Sequence, residues 1–227
     1  MIKLVNVNKI YNSDSKSPIH ALDSVNLVIS KGEYLSIVGQ SGSGKTTLLS
    51  IMSGLLKPTS GVVMYKERQL YDLKPHQLSK HRNHEIGFVF QNFFLEPKFN
   101  VFENVCMPLL NNNKLTFKEI EYKVNNAIRL VGLSDRLNNL ASDLSGGEKQ
   151  RVAIARAIVS SPEVVFADEP TGNLDTLQGE QIMKILKNLN DSGITVVLVT
   201  HNKENTKSSK RKIELKDGKI ISDEKIE

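Results

Sequence analysis

Gly39-Gln40-Ser41-Gly42-Ser43-Gly44-Lys45-Thr46-Thr47 is the stretch that decides the fold. It follows the apolar run Tyr34–Val38 and leads into the helix-compatible stretch Thr47–Met52. The nine residues match G-x-x-x-x-G-K-[ST]. Glycines let backbone N–H groups turn inward around phosphate oxygens with no Cβ in the way. The helix behind the loop aims the positive end of its dipole at the same anion. Lys45 supplies a point charge for the outer phosphates of a nucleoside triphosphate, and the Thr46 hydroxyl suits a Mg²⁺ ion. At average glycine content a chain of this length matches the pattern by chance about once in a hundred. The strand before it and the helix after it are the context the chemistry requires.

Working outward, further apolar runs occur at Ile86–Phe90, Val164–Ala167 and Ile194–Val199. Strands buried on both faces read this way, and they belong to parallel sheets covered by helices. Each of the four runs gives way to a chemically capable residue: Gly39, Gln91, Asp168 and His201. Ligands of open α/β sheets sit at the carboxyl ends of the strands, so the four endings predict one site. Ile2–Val7, Leu22–Ile29, Gly61–Tyr65, Lys212–Leu215 and Lys219–Ser222 alternate apolar and polar residues and read as antiparallel strands. Asp217-Gly218 marks a hairpin turn. Val101–Leu110 and Phe117–Val131 carry helical spacing, with Gly132 as a stop and Asn111-Asn112-Asn113 as a polar loop. The expectation is one α/β domain over 1–227. It has a mainly parallel sheet, an antiparallel β subdomain, and a helical subdomain inserted at about 92–160.

Val164–Ala167 runs into two adjacent acids with opposite duties. Asp168 would hold Mg²⁺, directly or through water. Glu169, one residue past the strand end, would act as general base toward a water in line with the terminal phosphate.

Leu144-Ser145-Gly146-Gly147-Glu148 is a second telling segment. Ser145 and Glu148 form a capping box, so a helix starts here and runs to Val159. Two glycines in its first turn cost about 1 kcal/mol each relative to alanine. They make sense where bare N–H groups approach an anion. The chain then holds two anion-binding helix starts, and one triphosphate does not easily need both from one protomer. A head-to-tail pair of copies resolves this, each closing its Ser145 end over the terminal phosphate held by the other.

Composition narrows the class. The 227 residues carry 30 Lys and Arg against 25 Asp and Glu, a mild excess without a basic stripe, which argues against a nucleic-acid partner. The small cluster Lys207, Lys210, Arg211 and Lys212 reads as a solvated surface. No stretch approaches the roughly 20 apolar residues of a membrane helix, so direct membrane insertion is not expected. Cys106 stands alone, reads as a small buried hydrophobe, and fits a reducing cytosol. His76, His81 and His84 lack zinc spacing and read as surface residues near a loop.

With these segments in place, the sequence resembles the nucleotide-binding subunits of ATP-binding-cassette transporters over essentially its whole length. Leu144–Glu148 matches that family's signature motif completely. The resemblance implies that Tyr11 stacks on adenine. It implies that Gln91 contacts metal and water and senses the membrane partner. Asn173-Leu174-Asp175 would cross the dimer interface, and His201 would contact the γ-phosphate. Taken alone, Tyr11 reads as a packing aromatic, Gln91 as a surface amide and His201 as a structural histidine; order and spacing give them their roles. Asp168–Asp175, Ile86–Asn92 and His20–Asp23 are similar to one bacterial branch. That branch includes subunits for lipoprotein release, macrolide export, antimicrobial-peptide resistance and cell division. The implied setting is the cytoplasmic face of the bacterial inner membrane, with a separate permease as partner. Lys149 and the charges within Leu95–Asn100 depart from the family pattern. A non-transport ATPase such as the cell-division subunit is the alternative. A DNA-translocating ATPase is disfavoured by Leu144–Glu148, and a dead scaffold by Lys45, Asp168, Glu169 and His201.

Overall fold

The computed structural model describes residues 1–12, 17–110 and 114–226. Asn111-Asn112-Asn113 therefore lies outside the described residues. Ten strands and six α-helices follow one another among the described residues. The strands are β1 (Ile2–Tyr11), β2 (Ile19–Ile29), β3 (Tyr34–Val38), β4 (Ser60–Tyr65), β5 (Arg68–Gln69), β6 (Ile86–Val89), β7 (Val164–Asp168), β8 (Thr195–Val199), β9 (Arg211–Lys216) and β10 (Lys219–Lys225). The helices are α1 (Lys45–Met52), α2 (Pro75–Glu85), α3 (Val101–Cys106), α4 (Phe117–Leu130), α5 (Gly146–Ile158) and α6 (Thr176–Asp191).

The main sheet has the order β10-β9-β3-β8-β7-β6. Every pairing from β9 to β6 is parallel, and β10 alone runs antiparallel at one edge. The apolar runs are continuous because both faces of their strands are buried. Val165 and Ala167 of β7 and Val196 and Leu198 of β8 face one core, shared with α3 to α6. Their neighbours Val164, Phe166, Val197 and Val199 face a second core, shared with α1 and the antiparallel sheet. Phe166 is fully buried, so Phe166→Ala would cost about 3–5 kcal/mol.

The second sheet, β2-β1-β4-β5, is antiparallel. It lays Ile2, Leu4, Val7, Leu22, Leu27 and Ile29 on α1 and the main sheet. The β9–β10 hairpin turns at Asp217 (φ 47°) and Gly218 (φ 76°), the paired positive φ of a tight right-twisted turn.

The helical insert is built on side-chain caps. Asn100, Thr116 and Ser145 each head a capping box closed by Glu103, Glu119 and Glu148. α4 buries Val124, Ala127 and Ile128 at helical spacing against α3 and α5. The single thiol, Cys106, is buried at the end of α3. Two helices were not legible locally. α2 is polar almost all round, and the histidines expected near a loop lie on it. His81 is buried rather than exposed: its ring meets Tyr65 edge-on at 4.4 Å and its Nδ1 pairs with Glu85 at 3.4 Å. α6 begins at Asp175, whose Oδ1 accepts from the Gln178 N–H at 2.8 Å.

Candidate active site

The carboxyl ends of β3, β6, β7 and β8 lead into one cavity of about 690 Å³. Lys45, Thr46, Gln91, Asp168, Glu169 and His201 all line it, together with most of the glycine-rich loop. Four strand endings that are far apart in sequence thus converge as the parallel sheet requires.

The loop is shaped by packing before any ligand. Gly44 caps α1 at φ 102° with no side-chain cap. A Cβ at Gly44 would meet the Ala21 carbonyl oxygen at 2.3 Å, and one at Gly39 would meet that of Leu215 at 2.2 Å. Both glycines are therefore demanded by neighbouring backbone as well as by phosphate. Lys45 Nζ donates to the carbonyls of Gly39 (2.9 Å) and Gln40 (2.7 Å), which keeps its charge inside the curve of the loop. No acidic residue stands in the first turn of α1, so its dipole end is left for an anion.

Thr46 Oγ1 donates to Asp168 Oδ1 at 3.3 Å. Burial pushes the Asp168 carboxyl above the usual range, and neighbouring Glu169 adds to this; the Thr46 hydroxyl and Lys45 oppose it. Two hard oxygen donors this close, one of them a carboxylate short of positive partners, form a donor set suited to Mg²⁺. Glu169 is held at φ 47°, a strained conformation for a residue with a side chain, fixed by its N–H donating to the Val199 carbonyl at 2.9 Å. Its Oε1 lies 2.8 Å from His201 Nδ1. Gln91 Nε2 donates to Asn173 Oδ1 at 3.3 Å, and Asn173 Nδ2 returns to the Gln91 carbonyl at 3.2 Å.

Other expected site residues lie elsewhere. Ser145, Gly146, Gly147 and Glu148 are not in this cavity. The Glu148 carboxylate accepts from the Ser145 N–H at 2.9 Å and from Arg136 Nε at 3.1 Å, so it is committed to its own helix start. Gly147 has a packing reason beside any anion, since a Cβ there would meet the Gln178 side chain at 2.8 Å. Asp175 is the N-cap of α6. Tyr11 ends β1 opposite Ile19, with Lys9 Nζ 5.2 Å from its ring centre, and is not in the cavity wall. Ser43, within the loop, is buried with an unpaired hydroxyl and does not line the cavity. Ile19, His20 and Ala21 line the cavity at the start of β2. His20 and Ala21 entered the sequence reading only through likeness to a branch. What places them here is the β1–β2 register, in which Ile10 faces His20, and no local pattern carries that.

The chain is similar to known proteins over its whole length. The family profile described as ABC transporter matches residues 22–172. The chain is 44% identical to the uncharacterized ABC transporter ATP-binding protein YknY of Bacillus subtilis, covering 97% of this chain and 95% of that one. It is 40% identical to the macrolide export ATP-binding/permease protein MacB of Bdellovibrio bacteriovorus, covering the whole chain but only 34% of that protein. The uncharacterized ABC transporter ATP-binding protein MJ0796 of Methanocaldococcus jannaschii is 44% identical, covering 100% of this chain and 97% of its own. A dimeric, post-hydrolysis structure of that cassette with ADP and Pi superposes with a TM-score of 0.91 at 42% identity, covering 100% of this chain and 99% of that one.

Proposed function

The chain belongs to the ABC transporter family as an ATP-binding, ATP-hydrolysing subunit of the branch that includes YknY and MacB, and from that premise we propose that two copies enclose Mg-ATP and drive a separate membrane permease. The observation that carries the reading is a division of labour. Lys45, Thr46, Asp168, Glu169, Gln91 and His201 share one cavity, whereas Ser145–Gly147 stand outside it. A helix start rich in glycine and outside its own nucleotide cavity fits the triphosphate of another copy. The dimer of MJ0796 with ADP and Pi supports this arrangement.

The roles follow from the contacts. The N–H groups from Gly39 to Thr47 and the α1 dipole hold the phosphates, with Lys45 turned toward them. Tyr11 and Ile19 flank the open side, where a base would lie. Thr46 and Asp168 would hold Mg²⁺, which supplies charge neutralisation on the phosphates. Glu169 takes the proton of the attacking water, His201 fixes the Glu169 carboxylate from one side, and Gln91 orients the water from the other. Asp175 and Asn173 lie on the segment that would cross between copies.

The cassette reading spans 1–227, with the helical insert of about 92–160 passing motion to the permease. No helix among the described residues is long and apolar enough to cross a membrane. The proposed place, which the likeness to the branch suggests, is the cytoplasmic face of the bacterial inner membrane, reached by docking on the permease. Export, lipoprotein release or peptide resistance are the cargo classes that suit the branch.

The test is Glu169→Gln. General-base assistance is typically about 10²–10⁴-fold, so kcat should fall by that factor, a barrier rise of about 3–5 kcal/mol. ATP binding should persist, and sedimentation should show a dimer with ATP and less of it without. Absence of added dimer at saturating ATP refutes the two-copy account.

A further inference from the structure

Gln150 lies in α5, five residues past Ser145, and is fully buried. Its Nε2 donates to two backbone carbonyls, Phe90 at 3.2 Å and Pro170 at 2.8 Å. Phe90 immediately precedes Gln91, and Pro170 immediately follows Glu169. One amide therefore spends both its hydrogens on the backbone flanking the two groups that face the attacking water. Its Oε1 is buried without a partner. An unpaired buried oxygen is a net cost compared with an apolar side chain of the same shape. Stability alone does not explain a glutamine here.

The surroundings make Gln150 a junction. Beyond it the segment after Glu169 is held by Asn205 Nδ2 on Thr171 Oγ1 at 2.8 Å and by the Gln91–Asn173 pair. None of those contacts reaches α5. Farther along the same helix, Arg156 donates to the carbonyls of Phe93 and Phe94, so α5 also grips the chain beyond Gln91. The one direct polar tie between α5 and the Glu169 segment among the described residues is Gln150.

We propose that Gln150 is a positioning residue. It sets Gln91 and Glu169 at a fixed spacing and links that spacing to the helix whose start is Ser145. Resting on the two-copy reading, this means that closure of Ser145–Gly147 on a neighbour's triphosphate also sets the copy's own water-activating pair.

Gln150→Met replaces the amide with an apolar chain of similar length, and Gln150→Leu repeats the measurement with a stiffer one. Ile154→Val, buried on the same helix but without side-chain polar contacts, is the packing control. Both Gln150 variants should lose about 10–100-fold in kcat, the scale of a misplacement of about 1 Å. KM for ATP should stay within about twofold, and Ile154→Val should keep its kcat. In the Glu169→Gln background, Gln150→Met should still form the ATP-dependent dimer. A kcat within twofold of wild type, or a loss matched by Ile154→Val at equal melting temperature, overturns the proposal. Failure of the dimer in Glu169→Gln alone instead refutes the two-copy reading and leaves the kcat comparison to judge Gln150 as a positioner.

Discussion

α1 and α5 both begin with glycines and both point a positive dipole end outward, yet they are finished in opposite ways. α1 has Gly44 as its cap, no side-chain hydrogen bond and no acid in its first turn. Its first-turn N–H groups therefore have no internal substitute for an anion. α5 has a complete capping box, with Ser145 Oγ accepting from the Glu148 N–H and Glu148 accepting from the Ser145 N–H. The box uses those two groups and not the N–H groups of Gly146 and Gly147. The first start is a standing seat for phosphate, wanting negative charge always. The second is stable by itself and keeps a smaller opening for an anion that comes and goes. That is the difference expected between a site that holds its own nucleotide and one that meets a partner's.

The sharpest way to break this contrast is to add one methyl group at each start. Gly44→Ala forces a Cβ to within 2.3 Å of a backbone oxygen at φ 102°, so neither side can yield cheaply. It should abolish nucleotide binding in a fluorescence titration and lower the melting temperature. Gly147→Ala meets only the Gln178 side chain, which can turn away, and alanine favours the helix by about 1 kcal/mol. It should fold and bind ATP normally yet lose hydrolysis by about 10²-fold, a barrier of about 2.7 kcal/mol. Equal loss of ATP binding in both variants would erase the distinction between own and partner site.

A smaller effect separates the two caps. Ser145→Ala removes the hydroxyl that accepts the Glu148 N–H, and such a cap is worth about 1 kcal/mol. For a domain above about 150 residues this is a drop of about 2–4 °C in melting temperature. No equivalent change exists at α1, whose cap has no side chain. A Ser145→Ala protein with unchanged melting temperature but reduced hydrolysis would mean that the hydroxyl serves a ligand rather than the helix.

Much of this was legible in the sequence where a residue's reason is local. The loop Gly39–Thr47, the capping box at Ser145, the turn at Asp217-Gly218 and the two-faced apolar strands each follow from spacing and backbone sterics. What escaped depends on distant partners. Gly44 looked like a phosphate glycine, and the carbonyl of Ala21 is an equal reason for it. Glu148 read as the acid that closes the capping box, and its ion pair with Arg136 is an added hold that the box does not announce. His81 looked exposed because α2 has no apolar stripe; in the fold it packs edge-on against the distant Tyr65. Gln150 carried no signal at all, since its meaning lies in the carbonyls of two segments 60 and 20 residues away.

The faintest prediction concerns acid. Hydrogen bonding from the Ser145 N–H, aided by Arg136, holds the Glu148 carboxyl below the usual carboxylate range against the effect of burial. A carboxyl lowered in the folded state contributes stability at pH above its unfolded value of about 4.3, and that contribution is lost as pH falls through the folded value. Glu148→Gln keeps a capping partner, because glutamine closes the same box. At neutral pH it should cost only about 0.5 kcal/mol from the lost ion pair with half-exposed Arg136. As pH falls below about 4.3 and through the lowered folded value, the wild type should lose this increment while the variant does not, so their melting temperatures should converge. Amide exchange should place the change in the first turn of α5. The first turn of α1, without an acid, should exchange at the same relative rate in both proteins across that range. Equal acid sensitivity at the two helix starts would show that the α5 cap is not held by the carboxylate, and the contrast between a bare start and a self-capped one would fall with it.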